Sequence, residues 1–273
     1  MSRADSQIDY LTIGHVCLDI TTAGYVPGGG VTFAARVAAA MGCRTVVLTS
    51  SATDYHHEEV LGQVEVKSIP SEHTTTFENI YEENERKQTI HVVSENLEPS
   101  HLPPRWKNPA IVHIAPIANE VDPEIIHLFD NSLIGLGPQG WLRRWDEKGH
   151  IEACDWPGAD LFFPLADVVI LSEEDLPDHA SLDRYRRFAQ LLVLTQGAAG
   201  CTLFYDDGSR HISAPKVKEI EPTGAGDIFS AAFLIRFYRN GHDPLDAATF
   251  ANQIAARSVT QPDFESKVVG LNV

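Results

Sequence analysis

Apolar residues along this chain collect in short runs, and the runs alternate with stretches whose apolar positions follow a helical period. The strand-like runs are 10–16 (YLTIGHV), 45–50 (TVVLTS), 110–116 (AIVHIAP), 132–137 (SLIGLG), 167–172 (DVVILS) and 191–197 (LLVLTQG). Helical patterns occupy 31–42 (VTFAARVAAAMG), 122–130 (DPEIIHLFD) and 181–190 (SLDRYRRFAQ), and two more follow Thr223. Runs that stay apolar throughout suit strands buried on both faces, and strands alternating with helices build parallel sheets. The pattern predicts an α/β fold: a doubly wound, mostly parallel sheet with helices on both faces.

One segment breaks the alternation. Residues 65–93 are polar, rich in Thr, Ile, Val and Tyr, and lack a helical period, which predicts two or three antiparallel strands. Lying between elements of the α/β layer, they read as a small β-sheet lid on a single domain spanning 1–273. The last third is the most regular. Thr223 is the expected N-cap of a helix on which Phe229, Phe233 and Phe237 recur every fourth residue, 240–244 (NGHDP) ends it, and a second helix starts near Pro244.

Composition narrows the function without naming it. A hydrophobic share of 43% and a charged share of 22% suit a folded globular chain, and a net charge of −17 argues against nucleic acid or an anionic membrane as partner. The N-terminal residues lack the apolar core of a signal peptide, and no stretch approaches a membrane span, so a cytoplasmic protein is expected. Four scattered cysteines and twelve histidines form no metal-binding spacing.

The stretch 221–233 (EPTGAGDIFSAAF) carries the chemistry. Gly224 and Gly226 strip side chains from a helix start, where free N–H groups and the helix dipole favour an anion. Asp227, one residue on, would repel a phosphate but could take a proton from a hydroxyl beside it. Donors for developing charge next to a base suit phosphoryl transfer, yet an acid in a first turn is also an ordinary helix feature. By spacing alone, cap and catalyst stay equally open.

That stretch resembles the C-terminal signature of the ribokinase-like, or phosphofructokinase B, carbohydrate kinases. Further stretches resemble the same family in order and spacing: 12–20 (TIGHVCLDI), 28–42 (GGGVTFAARVAAAMG), 168–176 (VVILSEEDL), 193–204 (VLTQGAAGCTLF) and 250–260 (FANQIAARSVT). The resemblance implies a kinase that moves the ATP γ-phosphoryl group to a hydroxyl of a sugar, polyol or nucleoside, with magnesium on the phosphates. It implies Asp227 as base, Gly224, Ala225 and Gly226 as anion hole, and Asp19, Gly29 and Gly30 at the acceptor. Ser172, Thr195, Gly197, Gly200 and Asn252 would border the nucleotide, and Asp175 would reach the metal through water. The resemblance allows a monomer or a homodimer through the lid.

Departures from the family pattern bear on detail. Phe33 stands where members usually carry an acceptor-binding Asn, Ser172 replaces another Asn, and Glu221-Pro222 replaces Asp-Thr, which puts a monovalent cation in doubt. A narrower likeness to the myo-inositol kinase-like branch rests on 12–20, 73–81 (HTTTFENIY), 137–144 (GPQGWLRR) and 221–227; it adds Gln139 and Arg143 as ligand contacts. The competing reading is a non-catalytic small-molecule-binding or regulatory protein on the same fold. A dinucleotide oxidoreductase built on 27–30 (PGGG) lacks the strand-to-helix context, has Ala34 or Ala35 in place of the last glycine, and has Ser50 and Ser51 where a ribose-binding acid belongs.

Overall fold

The computed structural model describes residues 7–22, 24–82, 85–206 and 208–268. Residues 83 and 84 of the expected lid, and both ends of the 1–273 span, lie outside the described residues. The apolar runs assemble into one nine-stranded sheet. Across it stand Gly208–Ile212, Cys201–Tyr205, Leu192–Thr195, Val168–Ser172, Leu133–Leu136, Ile111–Ile114, Tyr10–Ile13, Thr45–Ala52 and Glu65–Ser71. Neighbours run parallel except at the Cys201–Tyr205 and Gly208–Ile212 edge.

The inner strands are mostly apolar, with a few buried polar residues such as Thr12 and His113, because both faces are covered. On one face the helices Gly30–Ala40, Ala225–Arg239 and Pro244–Ser258 bury Val37, Phe229, Phe233 and Ala248 against Tyr10, Ile111 and Val193. The other face buries Leu11, Val112 and Val169 under Trp106, Ile125, Trp141, Phe163 and Tyr185. Phe229, Phe233 and Phe237 stack at 6.0 and 5.7 Å between ring centres, so the four-residue spacing seen in the sequence becomes a packed ladder. Asp243 caps the following helix at Leu245 and Asp246, with Pro244 as its first residue.

Several elements differ from expectation for local reasons. Residues 10–16 do not form one strand: the chain leaves the large sheet at Gly14, where an added Cβ would overlap the Ala115 carbonyl, and Cys17–Thr21 joins a second sheet. That small sheet has the order Gly24–Gly28, Cys17–Thr21, Thr75–Glu82, Glu85–Val92, with a parallel central pair flanked by antiparallel ones. Residues 65–93 therefore contribute to it only from Thr75; Glu65–Ser71 is the edge of the large sheet, parallel to Thr45–Ala52. β-branched composition marks a strand but does not say which sheet it pairs with. Residues 122–130 yield only the 3₁₀ turn Pro123–Leu128, too short to propagate an α-helix. Trp141 stacks on Trp156 at 4.3 Å, whereas Trp145, four residues on, sits exposed on a separate β-ribbon.

Candidate active site

Chain order fans out in both directions from Tyr10–Ile13, to Thr45–Ala52 on one side and to Ile111–Ile114 on the other. In open α/β sheets such a reversal leaves a crevice at the carboxyl ends of the strands. Here Glu120 ties the two post-strand loops together: its carboxylate accepts from the His15 N–H at 2.9 Å and the Ala118 N–H at 2.7 Å, and also from Ile117. A buried acid holding three backbone donors makes the floor of the crevice rigid.

Three glycines cross that floor. Gly24–Gly28 runs through Gly29, at φ 93°, straight into the Gly30–Ala40 helix. The strand-to-helix context denied to this stretch is thus present, but the strand belongs to the small sheet rather than to a parallel βαβ unit. Each glycine is required by what it touches. An added Cβ at Gly28 would overlap the Asp19 carboxylate, one at Gly29 would stand 2.6 Å from the His15 carbonyl, and one at Gly30 would stand 2.8 Å from Asp227 Oδ1. Two carboxylates therefore rest at the ends of a bare stretch whose outer Cα atoms are at most about 7 Å apart. The Cys17 thiol feels the same cluster: burial first pushes it well up, Asp19, Asp227 and Glu120 push it further, and Arg143 pulls it down.

Asp227 lies in the first turn of Ala225–Arg239. The N-cap is Gly224 in the left-handed conformation at φ 78°, not Thr223, and no side chain caps the helix. The reason is packing: a Cβ at Gly224 would stand 2.5 Å from the Phe33 ring, so the residue beneath the loop admits only glycine. Nothing lies within 4 Å of a Cβ built on Gly226, which leaves that face of the loop open. The Ala225 N–H donates to the Pro222 carbonyl at 3.1 Å, so this expected anion donor is engaged in a turn.

The residues expected at an acceptor begin on the small sheet, which carries Asp19. Asn79 donates to Asp19 Oδ1 at 3.2 Å. Gln139 and Arg143 both turn toward Asp175: the Gln139 amide bonds its carboxylate at 3.1 and 3.2 Å, and the Arg143 guanidinium stands 3.8 Å away while donating to the Ile117 carbonyl. The three residues, expected separately at a ligand and a metal, form one bonded unit.

Ser172 and Thr195 are register partners on adjacent parallel strands, but Ser172 accepts from Glu174 N–H and the Thr195 hydroxyl bonds the Leu171 carbonyl. Gly197 and Gly200 shape the turn into the antiparallel edge, and buried Asn252 donates to the Ile212 carbonyl at 3.0 Å. The polar groups expected around a nucleotide thus have bonds within the fold. Among the described residues no group of three or more His, Cys, Asp or Glu is placed to hold a metal, and no helix is long and apolar enough to cross a membrane.

Sequence reasoning missed Glu120, Asn79 and Lys267. Lys267 reaches the Glu221 carboxylate from the short helix Phe264–Val268 and is wholly buried. Asn79 lies within the singled-out stretch 73–81 but has only polar Glu78 beside it to mark it, and no motif spacing marks Glu120 or Lys267.

The pfkB family carbohydrate kinase model matches residues 16–267. An inositol 3-kinase of Zea mays is 32% identical over 56% of this chain, although the match spans only 41% of that protein. A cytidine kinase of Thermococcus kodakarensis is 26% identical over 85% of the chain and 89% of its own length. Among solved structures, a pyrophosphate-dependent kinase in the ribokinase family, complexed with a pyrophosphate analog and myo-inositol, superposes with a TM-score of 0.79 at 22% identity, covering 95% of this chain and 98% of that one. At that identity the likeness shows the fold.

Proposed function

The chain belongs to the pfkB family of carbohydrate kinases, and from that premise we propose that it transfers the γ-phosphoryl group of ATP to a hydroxyl of a small polyol or sugar, with myo-inositol the first acceptor to test. One observation carries the reading: Asp227 and Asp19 rest on the two ends of a side-chain-free glycine stretch, beside an open glycine loop at a helix start.

In the proposed reaction the acceptor lies along residues 28–30, with Asp19 and Asn79 bonding its hydroxyls. Asp227 takes the proton of the reacting hydroxyl, the oxygen forms a bond to the γ-phosphorus, and the bond to the leaving ADP oxygen breaks. The loop at 224–226 and the helix dipole behind it offset charge on the phosphoryl oxygens. Magnesium, when bound, would neutralise the donor phosphates, while Asp175 shares its carboxylate with Gln139 and Arg143.

Pyrophosphate as donor is the second reading. It is favoured by the internal bonds of Ser172, Thr195 and Asn252, and by the pyrophosphate-dependent structural neighbour. The test crosses ATP and pyrophosphate with myo-inositol, fructose, ribose and cytidine, reading phosphorylated product. Product from ATP supports the first reading and product from pyrophosphate the second. Tight ligand binding with no product from any pair would instead support a non-catalytic binding protein.

A further inference from the structure

Lys267 has no place in the chemistry above, yet its side chain is completely buried. Its ammonium donates to three oxygens of one loop: the Glu221 carboxylate, the Glu221 carbonyl at 2.9 Å and the Thr223 carbonyl at 2.6 Å. Taking an ammonium out of water costs several kcal/mol unless its donors are met, and here three donors meet three oxygens. Burial would raise the Glu221 carboxyl, but the bonds from Lys267 and Thr223 hold it below the ordinary value. The short helix that delivers Lys267 is itself fastened. Phe264 packs on Phe33 at 5.1 Å, and Glu265 pairs with Arg36 at 2.6 Å.

The bond to Thr223 has a consequence for the neighbouring glycine. The peptide joining Thr223 to Gly224 is planar, so its carbonyl and N–H point in opposite directions. An ammonium that holds the carbonyl behind the loop turns the Gly224 N–H toward the other side. Glu221 also accepts from the Thr223 N–H at 2.9 Å, and Phe33 fills the space under Gly224. The loop at 221–224 is therefore gripped from the side opposite its open face. Because Lys267 and Glu221 cancel in charge, the effect is one of orientation rather than of net field.

We propose that Lys267 is a tethered cation for this loop: its ammonium fills a cage of carbonyl and carboxylate oxygens that would otherwise take a dissociable monovalent cation, and so sets the loop donors without one. Lys267 acts through the loop and is a positioning residue. The proposal rests on the phosphoryl-transfer reading for its effect on rate, but the cage itself does not.

The test uses the full chain in buffers whose only other cation is tetramethylammonium. Potassium, ammonium or sodium chloride is then added at constant ionic strength. Wild-type turnover and melting temperature are expected to change little with any of the three salts; a severalfold stimulation by potassium or ammonium overturns the proposal. Lys267→Met is expected to lose at least about tenfold in turnover, with donor KM rising more than acceptor KM, because the loop loses its alignment. Ammonium or potassium should restore much of that loss and raise the melting temperature of this variant alone. The melting readout needs no turnover: a cation-stabilised Lys267→Met in a protein inactive toward every donor and acceptor pair would refute the kinase reading and leave the cage standing. If Lys267→Met fails to fold in tetramethylammonium, refolding with potassium or ammonium should recover it. A variant that no cation rescues, stabilises or refolds overturns the proposal.

Discussion

Asp227 and Asp19 rest on one glycine stretch but stand on different foundations. Asp227 opens a helix whose Ile228, Phe229, Ala232, Phe233 and Phe237 are buried, and whose preceding loop is held by Phe33 and Lys267. Asp19 sits on a strand of the small sheet, most of whose residues are half-buried, with Tyr25 and Ile80 of the neighbouring strands exposed. The backbone of a packed helix cannot shift its carboxylate as a unit without disturbing the core, whereas a thinly buried strand can carry its carboxylate aside at small cost. Under the proposed function, this contrast would put reaction geometry at the first end of the crevice and acceptor choice at the second.

The largest expected effect comes from breaking the core end. Asp227→Asn should lower kcat by about 10²–10⁴-fold, the usual worth of a positioned base, with melting temperature nearly unchanged. A variant that keeps full turnover would remove the base assignment. Gly30→Ala tests the same end more gently. Its Cβ would press on the Asp227 carboxylate, the movable end of a side chain, so the fold should persist while kcat drops on the order of 10²-fold from misplacement. Gly28→Ala is the matching change at the other end. It displaces Asp19 and should raise acceptor KM about tenfold with a smaller change in kcat, since it weakens binding more than the chemical step. Equal kcat losses from both alanines would erase the proposed division.

Acid probes the core beneath the first end. Burial holds His113 down at about 4 against an ordinary 6.5, while its Nδ1 lies 2.7 Å from the Tyr10 hydroxyl. Between those values the unfolded chain binds a proton that the folded chain does not. Stability is therefore full above pH 6.5 and declines as pH falls toward 4, by roughly 3 kcal/mol in all. Urea titrations across this range should show the decline, and His113→Gln should flatten it. The smallest effect is expected on the outer face of the small sheet: Tyr25→Ser should change stability by less than about 0.5 kcal/mol, as exposed substitutions usually do.

The contrast also follows what was readable in advance. Buried parallel strands, the phenylalanine ladder and the glycine loop at 224–226 announce themselves through local pattern, since each repeats a chemical requirement at short spacing. The small sheet was only half legible. Thr75–Glu82 and Glu85–Val92 have strand composition, but nothing in the apolar run 10–16 marks Gly14 as the point where the chain passes from the large sheet toward Cys17–Thr21. Glu65–Ser71 pairs with the large sheet through backbone bonds that its side chains do not advertise. Thr223 was the better cap by propensity and lost the position to Gly224 because the Phe33 ring leaves no room for a Cβ there.

By itself, the sequence determined an α/β chain with a glycine-led helix start, an acid in its first turn, and the family to which these belong, because such features depend on neighbours a few residues apart. Only the tertiary structure decided that Asp19 and Asp227 flank the same three glycines, that Gln139 and Arg143 converge on Asp175, and that Lys267 closes an oxygen cage with Glu221 and Thr223. Those contacts join residues far apart in the chain, and their geometry is fixed by how helices and sheets pack, which no local pattern encodes.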